Sequence, residues 1–453
     1  MPCPFGKQSH VDLTLTEVAA ALHGRVEPAV AGFRVGTYHT DSRQAGPDGL
    51  FFALRGAEQD GHAYAAAALA SGAAVVVQRR DGLPAGAPAV QVEDTWRALF
   101  DLVAEVLRRV APTVIAVTGS NGKTSTREMI AAVLASRYQV LQTAANLNTE
   151  TGVPLTLLRL EPRHELAVIE MGMQGRGQIA ELARLARPKV GVVTGIGAVH
   201  AEYFPDGKDG VCEAKGELIE ALPESGLAVL NADDPYYERL TALSLAPVIG
   251  FGLDAGSLRG EDYRPLPEGG SQLAVERAEV RVGPSGRHQA RNALAALAVG
   301  RFFGIPIEQA AQVLASLQVE HRLQPRRTRA GFVILDDAYN ASPESMLAAF
   351  ETLAERPRTG RLLALLGEMR ELGQLAPAAH EEVGRRAAQV FDRVAVVDSG
   401  YGELLARSAG AELLADRAAG TAWIRRHARA GDTVLIKASH GVALDQVVAE
   451  LLA

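Results

Sequence analysis

Hydrophobic residues along the chain fall into short continuous runs of the kind that form buried strands, and stretches with apolar residues at helical spacing separate these runs. The predicted strands cover residues 50–54, 73–77, 89–92, 113–117, 166–170, 190–194, 227–231, 332–336, 361–367, 393–398 and 432–439. The predicted helices cover residues 63–72, 94–110, 126–138, 177–186, 210–222 and 289–304. Strands that alternate with helices predict an α/β fold built on parallel sheets.

The same pattern divides the chain into three blocks. Asp94 can cap the helix predicted at 94–110, and Pro112 follows that helix closely, so we place a boundary there. A basic stretch at 321–329 separates the second block from the third. A chain of 453 residues is about three times a typical domain of ~150 residues. We therefore predict a small α/β domain over 1–111, a parallel-sheet domain of P-loop type over 112–319 and a Rossmann-like α/β domain over 320–453.

Composition narrows the classes of protein to which the chain can belong. The 46 basic and 53 acidic residues give a net charge of −7, which argues against a broad nucleic-acid-binding face. No apolar run approaches the ~20 residues that span a bilayer, and the first residues lack the apolar core of a signal peptide. Cys3 and Cys212 are too few for a disulfide framework. These features predict a protein of the reducing cytoplasm without membrane insertion.

In residues 117–126, VTGSNGKTST, a predicted strand ends, a glycine-rich turn follows, and a helix opens with Lys123 and Thr124. Backbone N–H groups of such a turn point at bound phosphate, and the helix dipole favours the anion. Lys123 can neutralise the β- and γ-phosphates of a nucleotide, and the Thr124 hydroxyl suits Mg²⁺. The spacing is the short form G-x-x-G-K-T, because Val117 stands where the usual pattern has glycine. The alternative is an ordinary glycine turn followed by a chance Lys-Thr pair.

Polar residues also follow other predicted strands of the second block, at the same edge of the predicted sheet. Glu170 ends one strand and could bind Mg²⁺, His200 follows a second, and Asn231 ends a third. Each also has a simpler interpretation: a surface acid, a structural histidine, and an Asx turn before Pro235. Because these turns and the phosphate loop each follow a different strand, we predict an ATP–Mg²⁺ site at this edge.

Lys215 lies in the helix predicted at 210–222. The simple interpretation is a solvated lysine on a helix surface. The alternative is a desolvated lysine beside the nucleotide, whose lowered pKa would make the amine a nucleophile. Such an amine could take up CO₂ as a carbamate, an anionic oxygen ligand that suits Mg²⁺.

Further polar turns follow predicted strands in the third block and occur in the first. Tyr339 and Asn340 lie in LDDAYNASPESM, and Ser439 lies in KASHGVALDQVV. Ser42 and Arg43 lie in the segment TDSR of the first block. All could bind a ligand, and all could equally be ordinary turns and helix caps. The chain has no GxGxxG segment, so nothing supports a nicotinamide site.

Together these segments resemble the Mur ligases, ATP-dependent amide-forming enzymes of peptidoglycan precursor synthesis, over nearly the whole chain. The segments that carry the resemblance, in chain order, are TDSR, LFFALRG, DGHAY, TGSNGKT, NLNTETGVP, IEMG, AVHAEYF, EAKGEL, GRHQARNALAALAV, HRLQP and LDDAYNASPESM. Within the family, DDAYNASP with GEMRELG resembles the branch that adds D-alanyl-D-alanine. Folylpolyglutamate synthases share the central loop but start near it, whereas about 110 residues precede it here.

The resemblance implies what each domain binds. The first would bind a UDP-sugar peptide, the second ATP with two Mg²⁺ ions, and the third the incoming amine. The implied reaction joins D-Ala-D-Ala to UDP-MurNAc-tripeptide through an acyl phosphate and releases ADP and phosphate. We expect a cytoplasmic monomer that binds no nucleic acid and does not insert into a membrane.

The resemblance also assigns site residues by motif. For ATP it implies Thr118, Gly119, Ser120, Asn121, Gly122, Lys123 and Thr124, with Asn292 at the adenine and Arg322 and Asp337 at the ribose. For catalysis it implies Lys123, Glu170, His200 and Lys215. For the metal ions it implies Thr124 and Glu170 on one Mg²⁺, and His200 with carbamylated Lys215 on the other. For the substrates it implies Ser42 and Arg43 at the uridine nucleotide, together with Asn146, Asn148, Thr149, Tyr339, Asn340 and Ser439.

One departure from the family pattern concerns the third block, where the frequent K-G-S-R is replaced by Lys437, Ala438, Ser439 and His440. Without that arginine, pairing with a substrate carboxylate could pass to Lys437 or to backbone N–H groups. Three other functions stay open: a sister ligase that adds the third amino acid to the UDP-MurNAc-dipeptide, a P-loop kinase or ATPase, and a noncatalytic nucleotide-sugar sensor. The dependence of ADP production on an added amine separates a ligase from the kinase or ATPase and from the sensor, and a panel of amines separates the two ligases.

Overall fold

The computed structural model describes residues 11–56, 58–266, 269–317, 323–355 and 360–453. The first elements are β1 (Leu13–Thr14), α1 (Leu15–Ala21), β2 (Arg25–Val26), β3 (Arg34–Val35), β4 (Thr37–His39), β5 (Gly49–Phe52), α2 (Ala65–Ala70), β6 (Ala74–Val77), β7 (Ala89–Gln91) and α3 (Thr95–Val110). The next are β8 (Thr113–Thr118), α4 (Lys123–Ala135), β9 (Val140–Gln142), α5 (Gly152–Leu157), β10 (Leu166–Glu170), α6 (Gln178–Ala186), β11 (Val190–Val193), α7 (Lys208–Glu220) and β12 (Leu227–Asn231).

The remaining elements alternate less regularly, because β13 to β16 are four consecutive strands, α9 and α10 are consecutive helices, and β17 and β18 are consecutive strands. They are α8 (Tyr237–Ala242), β13 (Val248–Gly252), β14 (Leu258–Pro265), β15 (Ser271–Val275), β16 (Ala278–Val282), α9 (Arg287–Phe302), α10 (Ile307–Ser316), β17 (Gln324–Arg327), β18 (Val333–Asp336), α11 (Pro343–Glu355), β19 (Leu362–Leu366), α12 (Ala376–Val390), β20 (Arg393–Val397), α13 (Gly402–Ala409), β21 (Glu412–Leu414), α14 (Arg417–His427), β22 (Thr433–Lys437) and α15 (Asp445–Leu452). The predicted α/β fold class is confirmed.

The described residues form two compact units. The first contains the chain up to Ala116 together with Tyr138–Gly172 and Ala180–Lys189. The second contains Val117–Arg137, Met173–Ile179 and Val190–Ala453. The domain boundaries at 111/112 and 319/320 stay predictions.

The first unit contains a five-stranded sheet in the order β2-β7-β6-β5-β4, with β4 to β7 parallel and β2 antiparallel. Its central strands β5 and β6 are buried along their whole length, as their continuous apolar sequences predict. Asp94 caps α3 by accepting hydrogen bonds from Trp96 N and Arg97 N, which confirms the predicted helix start. Strands β9 and β10 of this unit pair in parallel.

In the second unit β11, β12, β13 and β14 are parallel neighbours, and β15 and β16 extend them by antiparallel pairing. A further sheet has the order β17-β18-β22-β19-β20-β21, in which β17 alone is antiparallel to its neighbour. Apolar side chains cover both faces of that sheet, with Phe350 on one side and Trp423 on the other. Because β18, β22 and β19 run parallel, the loops that follow them meet at one edge.

No helix in the described part of the chain is both long enough and apolar enough to cross a membrane.

Candidate active site

The phosphate loop connects the end of β8 at Thr118 to the start of α4 at Lys123. The helix begins at Lys123, as the glycine-rich motif predicts, and three residues before the apolar pattern of 126–138, so that Lys123 and Thr124 lie in its first turn. Gly122 precedes the helix with φ 81°, and Gly119 has φ 143°. Both values favour glycine, because a side chain is strained in this region. The backbone therefore has the turn that the G-x-x-G-K-T spacing predicts, at the N-terminus of a 13-residue helix.

Neighbouring side chains also leave no room for a Cβ atom at either glycine. A Cβ atom at Gly119 would overlap the Thr194 hydroxyl, and one at Gly122 would lie 2.7 Å from Asn292 Oδ1. Asn292, on α9, is 7% exposed and donates to Gln289 Oε1 over 3.1 Å. The residue assigned to the adenine therefore lies directly beside the phosphate loop.

Several hydrogen bonds hold the loop in place. Thr194 Oγ1 donates to Asn121 O over 2.5 Å, and Gly197 N donates to Ser120 Oγ over 2.8 Å. The Lys123 ammonium lies back over the loop and donates to the carbonyl oxygens of Gly119, at 2.9 Å, and Ser120, at 3.3 Å. The loop after β11 thus fixes the phosphate loop from one side.

His200 lies in that same loop, in a left-handed conformation with φ 69°. Its Nδ1 lies 2.7 Å from Glu371 Oε2. Burial lowers the pKa of His200, and the neighbouring Lys123 and Lys215 lower it further, although Glu371 opposes them. The neighbouring His200 lowers the pKa of Glu371. The two side chains are close, but His200 Nδ1 makes no hydrogen bond of normal geometry with the described residues.

Lys215, on α7, is fully buried. Its Nζ has no hydrogen-bond partner among the described residues. Burial lowers the pKa of Lys215 well below its ordinary value, and the charge of Lys123 lowers it further. This contradicts the interpretation as a solvated surface lysine, and it leaves a desolvated amine near Lys123 and His200.

The turns of the third block meet at the edge formed by β18, β22 and β19. Asp337 Oδ2 lies 2.7 Å from Lys437 Nζ, and both residues are buried. Lys437 Nζ also donates to Asn340 O over 3.0 Å. The Tyr339 ring lies 5.9 Å from that of His440. Arg322, the other residue assigned to the ribose, lies outside the described residues.

Ser439 is 4% exposed, and its hydroxyl is engaged within the protein. It accepts a hydrogen bond of 2.9 Å from Arg370 N and donates to Ala341 O over 3.3 Å. Ser439 therefore connects the three loops at this edge.

Glu170 belongs to the first unit and is 2% exposed. Its N–H donates to Thr143 Oγ1 over 2.9 Å, and its Oε1 accepts from Asn148 Nδ2 at 2.8 Å. Asn146 accepts through its carbonyl oxygen from Asn148 N, also at 2.8 Å. Thr149 Oγ1 accepts from Gly152 N at 3.3 Å, at the start of α5. The predicted substrate segment and the predicted metal-binding acid are thus in contact.

Ser42 and Arg43 lie in a turn of the first unit. The Arg43 guanidinium pairs with Asp41 at 2.7 Å, and its side chain is 87% exposed. Hydrogen bonds from Arg43 lower the pKa of Asp41 to about 2.

Asn231 forms an Asx turn, which is the simpler of the two interpretations that its sequence position allows. Its Oδ1 accepts from Asp233 N at 3.1 Å, which is an Asx turn, and its Nδ2 donates to Thr194 O over 3.1 Å. Within the described ranges, no three His, Cys, Asp or Glu side chains are arranged to hold a metal ion. Of the four predicted metal ligands only Glu170 and His200 are of these types, so this finding does not test that prediction.

Three site residues were not singled out from the sequence: Thr194, Ser342 and Glu371. Ser342 Oγ donates to Asn121 Oδ1 over 2.9 Å, so the third block contacts the phosphate loop directly. Thr194 ends the strand predicted at 190–194, and Ser342 and Glu371 lie in polar segments after predicted strands, so the rule that indicated Glu170 and His200 applies to them as well.

The chain belongs to the Mur ligase family. Its residues 35–138 match the family model described as the Mur ligase catalytic domain, 117–300 match the Mur ligase middle domain, and 321–440 match the Mur ligase glutamate ligase domain.

Named relatives and solved structures resemble it along nearly its full length. It is 36% identical to the UDP-N-acetylmuramoyl-tripeptide–D-alanyl-D-alanine ligase of Mycobacterium tuberculosis, with 98% of each chain covered. The crystal structure of MurF from Acinetobacter baumannii superposes with a TM-score of 0.87 at 27% identity, covering 97% of this chain and 99% of that one. MurF from Thermotoga maritima, in complex with ADP, has a TM-score of 0.82 at 30% identity, with 92% and 96% covered.

Proposed function

We propose that this protein is an ATP-dependent ligase that joins D-alanyl-D-alanine to UDP-N-acetylmuramoyl-tripeptide and releases ADP and phosphate. The observation that carries the proposal is the grouping of Lys123, His200 and the buried amine of Lys215 beside a phosphate loop of the second unit. The substrates proposed here are those of the full-length relative from Mycobacterium tuberculosis, and the ADP complex of the Thermotoga maritima protein supports the nucleotide.

The residues of the phosphate loop fit the binding of a triphosphate. The N-terminus of α4 presents backbone N–H groups and the positive end of a helix dipole. The Lys123 ammonium, which now donates to loop carbonyl oxygens, lies where it can turn to phosphate oxygens instead. Asn292, buried against Gly122, is the residue we assign to the adenine.

The residues also fit a magnesium site that includes a carbamate. A buried lysine amine without a hydrogen-bond partner is costly, and CO₂ would convert it into a carbamate with two oxygen ligands. Magnesium, when bound, supplies positive charge beside the phosphate oxygens. Thr124 with Glu170, and His200 with carbamylated Lys215, stay the predicted ligands of the two ions.

The reaction needs two displacements. A terminal carboxylate oxygen of the tripeptide attacks the γ-phosphorus, the bond to the β-phosphate oxygen breaks, and ADP leaves. The amine of D-Ala-D-Ala, after losing a proton, then attacks the acyl carbon and expels phosphate. Lys123 stabilises the negative charge that develops on the transferred group. Ser42 and Arg43 at the uridine nucleotide, Tyr339 and Asn340 at the amine substrate, a cytoplasmic location and a monomeric state are further parts of the proposal.

An amine panel tests the proposed function. Phosphate release is measured with ATP, Mg²⁺ and UDP-MurNAc-tripeptide, with D-Ala-D-Ala, diaminopimelate, lysine or D-glutamate as the amine. We expect release with D-Ala-D-Ala only. Lys123→Ala should reduce it by at least ~100-fold, the loss typical of one transition-state donor. Arg393→Met, at the amino end of β20, is the control and should retain full activity.

Each other outcome favours a different function. Preference for a single amino acid, with the UDP-MurNAc-dipeptide as acceptor, would indicate the sister ligase. Phosphate release that needs no amine would indicate a kinase or ATPase. Binding of UDP-ligands without phosphate release would indicate a sensor.

A further inference from the structure

The edge at which β18, β22 and β19 end is the natural ligand crevice of the third block, because parallel strands present their binding loops at their carboxyl ends. Three loops meet there, after Asp336, Lys437 and Leu366. Two basic side chains at this edge differ in exposure and in contacts: Lys437, at the end of β22, and Arg370, in the loop after β19.

Lys437 does not have its charge available for a ligand. It is 1% exposed, it lies 2.7 Å from Asp337 Oδ2, and it donates to Asn340 O over 3.0 Å. A buried ion pair of this kind neutralises itself, and separating it would leave a buried charge without compensation. The sequence-based expectation that Lys437 could take over the pairing with a substrate carboxylate is therefore not supported.

Arg370, in contrast to Lys437, has an exposed side chain with donors that can reach a ligand. Its side chain is 51% exposed, and its Nε–H donates to Glu368 Oε1 over 2.6 Å. The side chain of Glu368 is only 8% exposed, so this buried carboxylate fixes the Nε side of the guanidinium. In the described part of the chain no hydrogen bond engages the terminal amino groups of Arg370. Two parallel N–H donors of a guanidinium match a carboxylate.

The neighbouring loops hold Arg370 in this position. Its backbone N–H donates to Ser439 Oγ over 2.9 Å, and Ser439 N donates to Glu368 O over 3.0 Å. A Cβ atom at Gly441 would overlap the guanidinium, so the absence of a side chain there leaves room for Arg370. The loops after β19 and β22 thus fix the position of the guanidinium together.

We propose that Arg370 binds the carboxylate of the incoming amine substrate and thereby selects a dipeptide with a free C-terminus. The inference rests on the proposed function and adds to it the residue that recognises the second substrate. Ser439 acts as a positioning residue, because its hydroxyl holds the Arg370 backbone and has no further donor for a ligand.

The test compares D-Ala-D-Ala with D-alanyl-D-alaninamide, which lacks the carboxylate charge. The intact protein should prefer the acid over the amide. Arg370→Met should raise KM for D-Ala-D-Ala by about 10- to 100-fold, the loss expected for a charge-assisted hydrogen bond. The same variant should leave kcat/KM for the amide, and KM for ATP and for the UDP-tripeptide, within about twofold, because none of these involves the proposed pairing.

Two further variants keep the test decisive. Glu368→Gln combined with Arg370→Met removes both charges, and it replaces the single variant if an unpaired Glu368 impairs folding. Arg393→Met is the matched control for loss of an exposed arginine in the same sheet. Unchanged preference for the acid in an active Arg370 variant, or an equal loss with acid and amide, would overturn the role of Arg370. Absence of dipeptide-dependent phosphate release from the intact protein would instead overturn the proposed function, and this inference with it.

Discussion

Ser342 Oγ donates a hydrogen bond of 2.9 Å to Asn121 Oδ1, and so links the loop after β18 to the phosphate loop. Ser342 is 1% exposed and also caps α11 by accepting from Ser345 N at 3.1 Å. Because this hydrogen bond is partly shielded from water, it is expected to contribute more than a fully exposed one. The phosphate loop and the third block are therefore expected to be energetically coupled through this pair.

A double-mutant cycle measures that coupling. We expect the effects of Asn121→Ala and Ser342→Ala on the free energy of unfolding in urea to be non-additive by about 0.5–1.5 kcal/mol, the net worth of one hydrogen bond. Ser345→Ala is the matched control, because Ser345 takes part in the same cap by accepting from Ser342 N at 2.9 Å but does not contact Asn121. Additive effects for the Asn121–Ser342 pair would show that the contact carries no coupling.

The sequence predicts the buried strands well, because β6, β10 and β19 are continuous apolar runs that only a buried strand or a short core helix would tolerate. The apolar pattern alone places the start of α4 three residues late, and only the glycine-rich motif places it at Lys123. The usual signal for a helix start is a Ser, Thr, Asp or Asn cap, whereas α4 begins after Gly122, whose left-handed backbone provides no side-chain cap. The phosphate loop itself was found through its glycines and lysine.

Contacts between distant loops could not be predicted. Nothing in the local sequence around Glu371 indicates that it lies 2.7 Å from His200, since the contact depends on how whole sheets are placed. The basic stretch predicted as a joint contains β17, which pairs with β18 at the edge of a sheet. An edge position tolerates the polar residues of Gln324–Arg327, because one side of the strand stays open to solvent.

Asp432 gives a pH-dependent prediction for the third block. Burial raises the pKa of Asp432, but hydrogen bonds from Arg361 and Arg429 outweigh burial and lower it below 3.8. A carboxylate whose pKa is lower in the folded protein contributes stability above its unfolded pKa, and that stability is lost as pH falls through the folded pKa. We expect Asp432→Asn to destabilise the protein at pH 7, and the difference from the unsubstituted protein to shrink below pH ~4.

The measurement is the free energy of unfolding in urea at a series of pH values. Glu403→Gln, which removes an exposed carboxylate on α13, is the control and should change stability little at any pH. A difference for Asp432→Asn that stays constant down to pH ~3 would contradict the lowered pKa.

The surroundings of Gly122 predict how much a side chain at this position would destabilise the phosphate loop. In Gly122→Ala the new Cβ would meet both a backbone with φ 81° and the Asn292 side chain 2.7 Å away. We expect a loss of about 1–3 kcal/mol in stability, together with weaker ADP binding measured by calorimetry. Gly82→Ala is the matched control, because Gly82 has φ 78° and no atom within 4 Å of the added Cβ. Equal losses for the two variants would show that Asn292 does not restrict the loop.

The burial of the Lys215 amine predicts that this residue lowers the stability of the fold although the reaction requires it. Its amine is fully buried without a hydrogen-bond partner in the described structure, and such a group costs about 1–3 kcal/mol. Methionine has a similar shape and no polar atom. The amine is therefore expected to persist because the reaction uses it, and not because the fold needs it.

In CO₂-free buffer at neutral pH we expect Lys215→Met to raise the free energy of unfolding by about 1–3 kcal/mol while it abolishes amine-dependent phosphate release. Added bicarbonate should raise the thermal midpoint of the unsubstituted protein, because the proposed carbamate on Lys215 would bind Mg²⁺, and it should leave Lys215→Met unchanged. Lys215→Ala leaves space in place of the side chain, so small carboxylates should partly restore its activity. A midpoint that does not respond to bicarbonate, together with an active Lys215→Ala, would assign Lys215 to packing alone.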